Sequence, residues 1–356
     1  MDVGINFFPD VTPDEKPAAV YFDECLQIAS DADRLGFHHL RIVEHYFERY
    51  GGYSPNPLLF LTAASQRTQR IRLITGAVLP AFNHPLKLAG EIGMLDAISK
   101  GRLEVGFARA FLPHEFARFG VPLDESRARF EEGITTVARL LEGEAVTLDG
   151  RFHRFPATTS LPRPTQQPRP PFWVAALATE ASFVYAGREG HSVMAIPLLG
   201  AQMRPMLAAY RAARRDAGHA GPGRVMLAFH MFCDEDGDRA RAVARGPINH
   251  YLRSLVAGAS GWLQGAASAD YAGYQQIIAG MERETFDTVL EKGGAWVGTP
   301  DEIVRQAKAY QELVGGFEVA SCQVNFGTLG FPDAQRSVRL FGERVLPRVA
   351  ALAAKA

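Results

Sequence analysis

Val43-Glu44-His45-Tyr46-Phe47 decides the reading of this chain. It follows a short apolar strand candidate at 40–43 and runs into the Gly/Tyr/Pro-rich loop 49–57. A Glu-His-aromatic cluster at the end of an early strand, followed by a long loop, is the arrangement expected at the mouth of a β/α barrel. There the residues at the carboxyl ends of strands carry the chemistry. The competing reading is an ordinary, partly buried histidine. The segments on either side decide between the two.

Outward from that stretch, strand and helix patterns alternate. Strands are read at 3–8, 39–43, 71–75, 103–107, 172–176, 192–196, 224–233 and 318–325. Between them lie helical patterns, the first at 18–35. Its stripe of Ala18, Phe22, Cys25, Leu26, Ala29 and Ala32 ends at Gly36. Asn56 is a plausible N-cap for a helix at 56–65, with Pro57 in the first helical position. Further helices are read at 84–98, 126–142, 179–188, 203–217, 236–256, 300–313 and 332–345, and a small hairpin at 145–153 around Asp149-Gly150. Strands alternating with helices argue for a parallel sheet closed into a (β/α)8 TIM-type barrel with insertions, occupying 1–356 as one domain. An open doubly wound sheet usually shows a Gly-rich turn after its first strand, and here that turn reads Phe8-Pro9-Asp10-Val11-Thr12. The six prolines of 156–171 read as an extended crossing between the two halves.

Composition narrows the class. The 356 residues are 47% hydrophobic, enough for a large core in one barrel domain. A net charge of -1 provides no basic field for nucleic acid or anionic lipid. No apolar run reaches the ~18–20 residues of a membrane span. The N-terminal Met1-Asp2-Val3-Gly4 leads straight into a strand, without signal-peptide character. Cys25, Cys233 and Cys322 fit neither a disulfide framework nor a zinc motif. The expectation is a cytoplasmic protein without a structural metal.

Three more segments sit just past strand ends. In Gly106-Phe107-Ala108-Arg109-Ala110, Arg109 lies near the mouth, and Arg127 opens the next helix. Two arginines there can grip a dianion by bidentate hydrogen bonds, unless both are solvated surface charges. A cation at a helix N-terminus opposes the macrodipole, so a bound anion would account for Arg127. Thr179 and Ser182, with Ala178 before them, form a candidate phosphate cradle; the alternative is a plain threonine N-cap. Gly76-Ala77 would let a flat ligand approach the backbone, or simply permit tight packing.

Together these residues resemble the bacterial luciferase-like monooxygenases, flavin-dependent enzymes on a TIM-type barrel. The likeness rests on Val43 through Phe47, Leu79-Pro80 through His84-Pro85, and Met94-Leu95-Asp96 through Ser99-Lys100-Gly101-Arg102. Gly106 through Ala110, Phe119-Gly120 with Ser126-Arg127, Pro171 through Ala176, and Val297-Gly298-Thr299-Pro300 extend it over nearly the whole chain. A narrower likeness includes Ala186-Gly187-Arg188, Leu198-Leu199-Gly200, Tyr210-Arg211-Ala212-Ala213-Arg214 and Tyr251-Leu252-Arg253-Ser254. It is similar to the subgroup found with polyketide and nonribosomal peptide assembly lines.

The resemblance implies that His45 is the catalytic histidine. It implies that Arg109, Arg127, Thr179 and Ser182, with the Ala178 backbone, hold the flavin phosphate. Gly76-Ala77 would lie beneath the isoalloxazine and join by a non-proline cis bond. Two positions depart from the family: Tyr46 replaces a second histidine, and Ala108 stands where true luciferases carry a reactive cysteine. A phenol at Tyr46 can hydrogen-bond an oxygen but cannot titrate near neutrality. The implied reaction is two-component monooxygenation. Reduced FMN from a separate, transiently docking reductase reacts with dioxygen to give a C4a-hydroperoxide, and His45 serves as acid/base or hydrogen-bond donor. Phe8, Tyr53, Phe82 and Phe111 join Tyr46 as candidate pocket walls, each with a plain core role as its alternative. His230 is read as a satisfied buried histidine, and His38 and His39 as lying at the far end of the barrel. The substrate would be an apolar small molecule, free or bound to a carrier protein. A homodimer packed through early barrel helices is expected, with the apolar run 58–64 at its interface. A deazaflavin-dependent oxidoreductase and a non-enzymatic flavin-binding or docking protein remain as alternatives.

Overall fold

The computed structural model describes residues 1–177 and 179–352. Its strands are β1 (Asp2–Phe7), β2 (His39–Ile42), β3 (Arg72–Thr75), β4 (Leu103–Phe107), β5 (Val146–Asp149), β6 (Arg154–Thr158), β7 (Phe172–Ala176), β8 (Ser192–Ala195), β9 (Val225–Cys233), β10 (Ala295–Gly298) and β11 (Val319–Gln323). β1, β2, β3, β4, β7, β8, β9 and β11 pair in that order, all parallel, and β11 returns to β1. The result is a closed TIM-type (β/α)8 barrel with helices outside it, as the alternating pattern predicts.

β10 is absent from the sequence reading. Val297-Gly298 reads only as the approach to the next helix, whose start signal at Thr299-Pro300 follows directly. Its place follows from the length of β9. The first residues of β9 pair with β8, whereas residues from His230 to Cys233 pair with Ala295 to Gly298 on the same edge. The long strand outruns β8, and β10 satisfies the backbone groups left over. The helices Pro113–Phe119, Tyr274–Met281 and Phe286–Glu291 are also missing from the reading; none exceeds eight residues. In the helix Ala18–Leu35 the buried face centres on Tyr21, Cys25, Ile28 and Ala32, while Ala18 lies exposed. The predicted hairpin forms as β5–β6, with β6 extending into the proline-rich crossing.

Local signals end the elements as physical chemistry requires. Asn56 accepts a hydrogen bond from the Leu59 amide, and Pro57 opens the helix Pro57–Ser65. Thr299 and Glu302 form a reciprocal capping box on the helix Pro300–Val314, which Gly315 closes at φ 80°. No described helix is long and apolar enough to cross a membrane.

Inside the ring, Ile74, Trp173, Met194, Met226 and Val319 form an apolar plug. The Trp173 indole donates to Glu104 Oε2 at 2.6 Å, and Glu104 also pairs with Arg72. His39 lies at the amino-terminal end of the barrel, as expected, with Nε2 2.9 Å from Ser321 Oγ. Gly4 makes room for it, since a Cβ there would fall 2.3 Å from the imidazole. The plug closes one end of the barrel, and any cavity must open at the other.

Candidate active site

A cleft of about 1050 Å³, measured out to its open mouth, occupies the carboxyl end of the barrel. Every strand of the ring, or the loop following it, contributes to its wall. The wall has two characters. Ala77, Ala108, Ala175, Ala176, Ala195 and Ala228 present small apolar faces. His230, Gln323, Asn6 and Arg41 form a polar arc on four adjacent strands, each the register partner of the next. Parallel register partners point to the same side, so these four side chains form one inward row.

His45 lies just past β2 and lines the cleft; it is 8% exposed. Its Nδ1 donates to Glu115 Oε1 at 3.1 Å, and the Tyr46 amide donates to the same oxygen at 3.0 Å. Glu115 is completely buried on the helix Pro113–Phe119. This contact sets the ring plane and directs the Nδ1 proton away from the cleft, leaving Nε2 for a ligand. The sequence reading missed Glu115. Its only local sign was Pro113, a helix-opening residue soon after Arg109.

Glu44 and Tyr46 form a separate arrangement. The Tyr46 hydroxyl donates to Glu44 Oε1 at 2.5 Å, Asn83 Nδ2 donates to the same oxygen at 3.0 Å, and the Leu79 amide donates to Oε2 at 3.2 Å. Burial holds the Glu44 carboxyl up at about 8 despite these donors. Burial, reinforced by Glu44, also raises the Tyr46 phenol. Tyr46, expected to be catalytic beside His45, turns from the cleft. Its side chain is not among those lining the cleft, and its ring packs against Phe82 and Phe119. The Tyr46 hydroxyl is held on Glu44 and its ring among Phe82 and Phe119, whereas the His45 ring lies against Phe8, Tyr50 and Phe111 in the cleft.

The Gly76–Ala77 bond is cis, and both residues line the cleft. A Cβ on Gly76 would lie 2.5 Å from Arg41 Cγ, so glycine is what lets the arginine pass. A shallow side pocket, about 270 Å³ when counted out into open solvent and bearing Arg109, Arg127, Glu131, Ser182 and Tyr185, adjoins the main cleft. The two share Arg109, Ala175 and Ser182. Thr179 Oγ1 lies 2.9 Å from Ser182 Oγ, and Ala178 falls outside the described residues.

One electrostatic expectation changes. The start of the helix Ser126–Glu142 already has an anion: Asp270 accepts from Ser126 Oγ at 3.1 Å and from the Arg127 amide at 2.9 Å. Arg127 Nε is 3.6 Å from the same carboxylate. The macrodipole argument for a ligand at Arg127 is therefore met by Asp270, and the side pocket argues for one on other grounds. Arg109 Nη1 donates to the Asp270 carbonyl at 2.7 Å, and its guanidinium lies over the Tyr271 ring.

Of the expected aromatic walls, Phe8 and Phe111 line the cleft. Tyr53 and Phe82 do not. The Tyr53 hydroxyl donates to the Lys16 carbonyl at 3.0 Å, and Phe82 stacks on Phe119 at 4.6 Å. Each is satisfied by neighbours that do not line the cleft. Tyr50, Tyr251 and Tyr274 line it instead. His230 reaches the cleft and is also satisfied, because Gln323 Nε2 donates to its Nε2 at 3.1 Å. Burial lowers its pKa to about 3, so it is neutral at physiological pH.

Comparison with known proteins bears on this geometry. The family model for luciferase-like monooxygenase matches residues 1–315. The chain is 29% identical over 345 residues to the oxygenase component of a flavin-dependent trigonelline monooxygenase from Acinetobacter baylyi, covering 94% of this chain and 91% of that protein. Monooxygenase RslO1 from Streptomyces bottropensis superposes with a TM-score of 0.87 at 43% identity, over 98% of this chain and 99% of RslO1. The oxygenating constituent of 3,6-diketocamphane monooxygenase from Pseudomonas putida, solved with FMN, shares the fold at TM-score 0.83 and 22% identity, with both chains fully covered. The chain belongs to the luciferase-like monooxygenase family, and is a barrel enzyme of the monooxygenase class.

Proposed function

We propose that this chain is the oxygenase half of a two-component system. It would take reduced FMN from a separate reductase and transfer one atom of dioxygen to an apolar organic substrate, the other leaving as water. The observation that carries the reading is the junction of two spaces. A cleft with one small-residue wall opens onto a side pocket bearing Arg109, Arg127 and Ser182. Such a shape fits a flat ring in the cleft and a phosphate in the side pocket, where cationic and hydroxyl donors converge.

Bound reduced FMN supplies the electrons that activate dioxygen. The chain's own residues do the rest. Arg109, Arg127, Ser182 and Thr179 would hold the phosphate. Gly76 and Ala77 would lie against the ring. Phe8, Phe111 and the alanine wall keep water from the reacting atoms. His45 Nε2 gives or takes a proton there, and Glu115 positions the ring from behind.

The substrate class we favour is a natural-product intermediate, free or on a carrier protein, with the reaction taking place in the cytoplasm. The oligomer we favour is a homodimer. Most of the apolar run 58–64 is buried within the protomer, but Leu59 and Met94 stay exposed on two packed helices, and Leu161 on the crossing beside them.

The test supplies reduced FMN, in parallel with a reduced deazaflavin, under labelled dioxygen with candidate polyketide intermediates. One labelled oxygen in the product is expected with FMN. His45→Ala should leave FMN affinity near that of the parent while diverting oxygen to hydrogen peroxide. Turnover with the deazaflavin and no incorporated label would overturn the proposal.

A further inference from the structure

Arg41 is the least expected residue in the cleft. It projects from β2 into the barrel and is 6% exposed. Its Nε donates to Asn6 Oδ1 at 3.0 Å. Nη1 meets only two thioethers, Met194 Sδ at 3.5 Å and Met226 Sδ at 3.8 Å. Among the described residues, Nη2 has no hydrogen-bond partner and no carboxylate stands within salt-bridge distance of the guanidinium. Burial without a counter-charge lowers its pKa to about 10, which still leaves it cationic at neutral pH.

Asn6 repeats the pattern. Its carbonyl oxygen is used by Arg41, which orients the amide, and its Nδ2 is buried with no partner among the described residues. Both side chains line the cleft. An uncompensated buried cation is costly, and so is a buried donor without an acceptor. Two such groups, coupled to each other and facing one open space, are the donor half of an unfinished interaction. The neighbours in the row do not complete it, because Gln323 is engaged by His230 and His230 is neutral.

We propose that Arg41 and Asn6 form an oxyanion seat at the base of the cleft, taking an oxygen that carries full or developing negative charge. Two sources share this chemistry: the pyrimidine edge of reduced FMN, and an acidic oxygen (carboxylate, phenolate or enolate) on the organic substrate. The flavin source rests on the function proposed above. The substrate source requires only the cleft.

The experiment measures binding, not turnover, on the intact chain and on Arg41→Met, which removes the charge and keeps an unbranched side chain among the thioethers. Reduced and oxidised FMN are titrated anaerobically into both proteins. 2-Naphthoate and its neutral counterpart 2-naphthamide are titrated separately. A charge-assisted contact predicts a loss of about tenfold or more in Arg41→Met for the charged member of one pair, with its neutral partner changed less than about threefold. Loss confined to reduced FMN assigns the seat to the flavin; loss confined to naphthoate assigns it to the substrate. Arg41→Lys should recover part of either loss. Equal affinities for both members of each pair in the parent protein would overturn the proposal, even if Arg41→Met failed to fold. Unchanged selectivity in a folded Arg41→Met would overturn it as well. A parent that binds naphthoate selectively but no FMN would refute the flavin reading and leave the seat standing.

Discussion

Replacing Arg109 with alanine tests two roles that the structure gives one side chain. The guanidinium faces the side pocket proposed for the FMN phosphate, and it also braces the turn Ala269–Tyr271. The brace consists of the 2.7 Å bond to the Asp270 carbonyl and a cation–π contact 4.4 Å from the Tyr271 centroid. Tyr271 in turn donates to the Ala110 carbonyl at 2.8 Å, so the turn is tied to the loop after β4. Loss of a charged hydrogen bond costs about 1.5–3 kcal/mol, and a cation–π pair at least about 0.5–1 kcal/mol. Arg109 is half-exposed, so solvent recovers part of this, and about 1–2 kcal/mol of flavin-free stability should disappear. At this chain length that is a fall of about one to three degrees in Tm. Flavin binding should weaken separately by about tenfold to 150-fold, the equivalent of one charge-assisted phosphate contact. Tyr271→Leu separates the roles, because it removes the platform and leaves the guanidinium. It should reproduce the loss of Tm while changing FMN affinity less than about threefold. Anaerobic titration of reduced FMN, with thermal unfolding of the flavin-free proteins, reads both quantities. The reasoning fails if Arg109→Ala binds reduced FMN as tightly as the parent, or if Tyr271→Leu accounts for the whole loss of affinity.

Three further outcomes are expected. Glu115→Gln removes the carboxylate that orients His45, and should cut coupled oxygenation about tenfold to 100-fold with FMN affinity unchanged; a shifted pH–rate profile would distinguish this from general damage, and an unaltered rate and profile would exclude a positioning role. Glu44 has its pKa raised by burial to about 8, so between about pH 4.5 and 8 the folded state keeps a proton that the unfolded state has lost. Stability should therefore fall as pH rises through that window, and Glu44→Gln should flatten the decline; parallel Tm curves for parent and variant from pH 5 to 8.5 would contradict it. Met94→Glu, which puts a charge on an exposed apolar position, should yield monomers by sedimentation at micromolar concentration if the homodimer forms through these helices; a parent already monomeric there refutes the dimer.

The sequence by itself determined the barrel and the level of the site. Strand and helix periods are local, and Asn56-Pro57, Thr299-Pro300 and Gly36 carry their own boundary chemistry, so alternation and most element ends were legible. Residues soon after strand ends, His45, Gly76, Ala77 and Arg109 among them, and Ser182 in the first turn of the helix after β7, could be placed at the mouth because a parallel barrel sends all those ends the same way. Direction within the mouth was not legible. Whether Tyr46, Tyr53 and Phe82 face the cleft or a neighbouring helix depends on packing partners far along the chain, and all three turn elsewhere. Partners distant in sequence were equally hidden: Glu115 behind His45 across 70 positions, and Asp270 at the start of a helix 144 residues earlier. β10 escaped because its reason for existing is the unpaired edge of β9. Arg41 shows the division most plainly. In sequence it is one charge in a strand; the β1–β2 register places it beside Asn6, and only ring closure brings two thioethers against it, with the cleft as the direction left for its remaining donors.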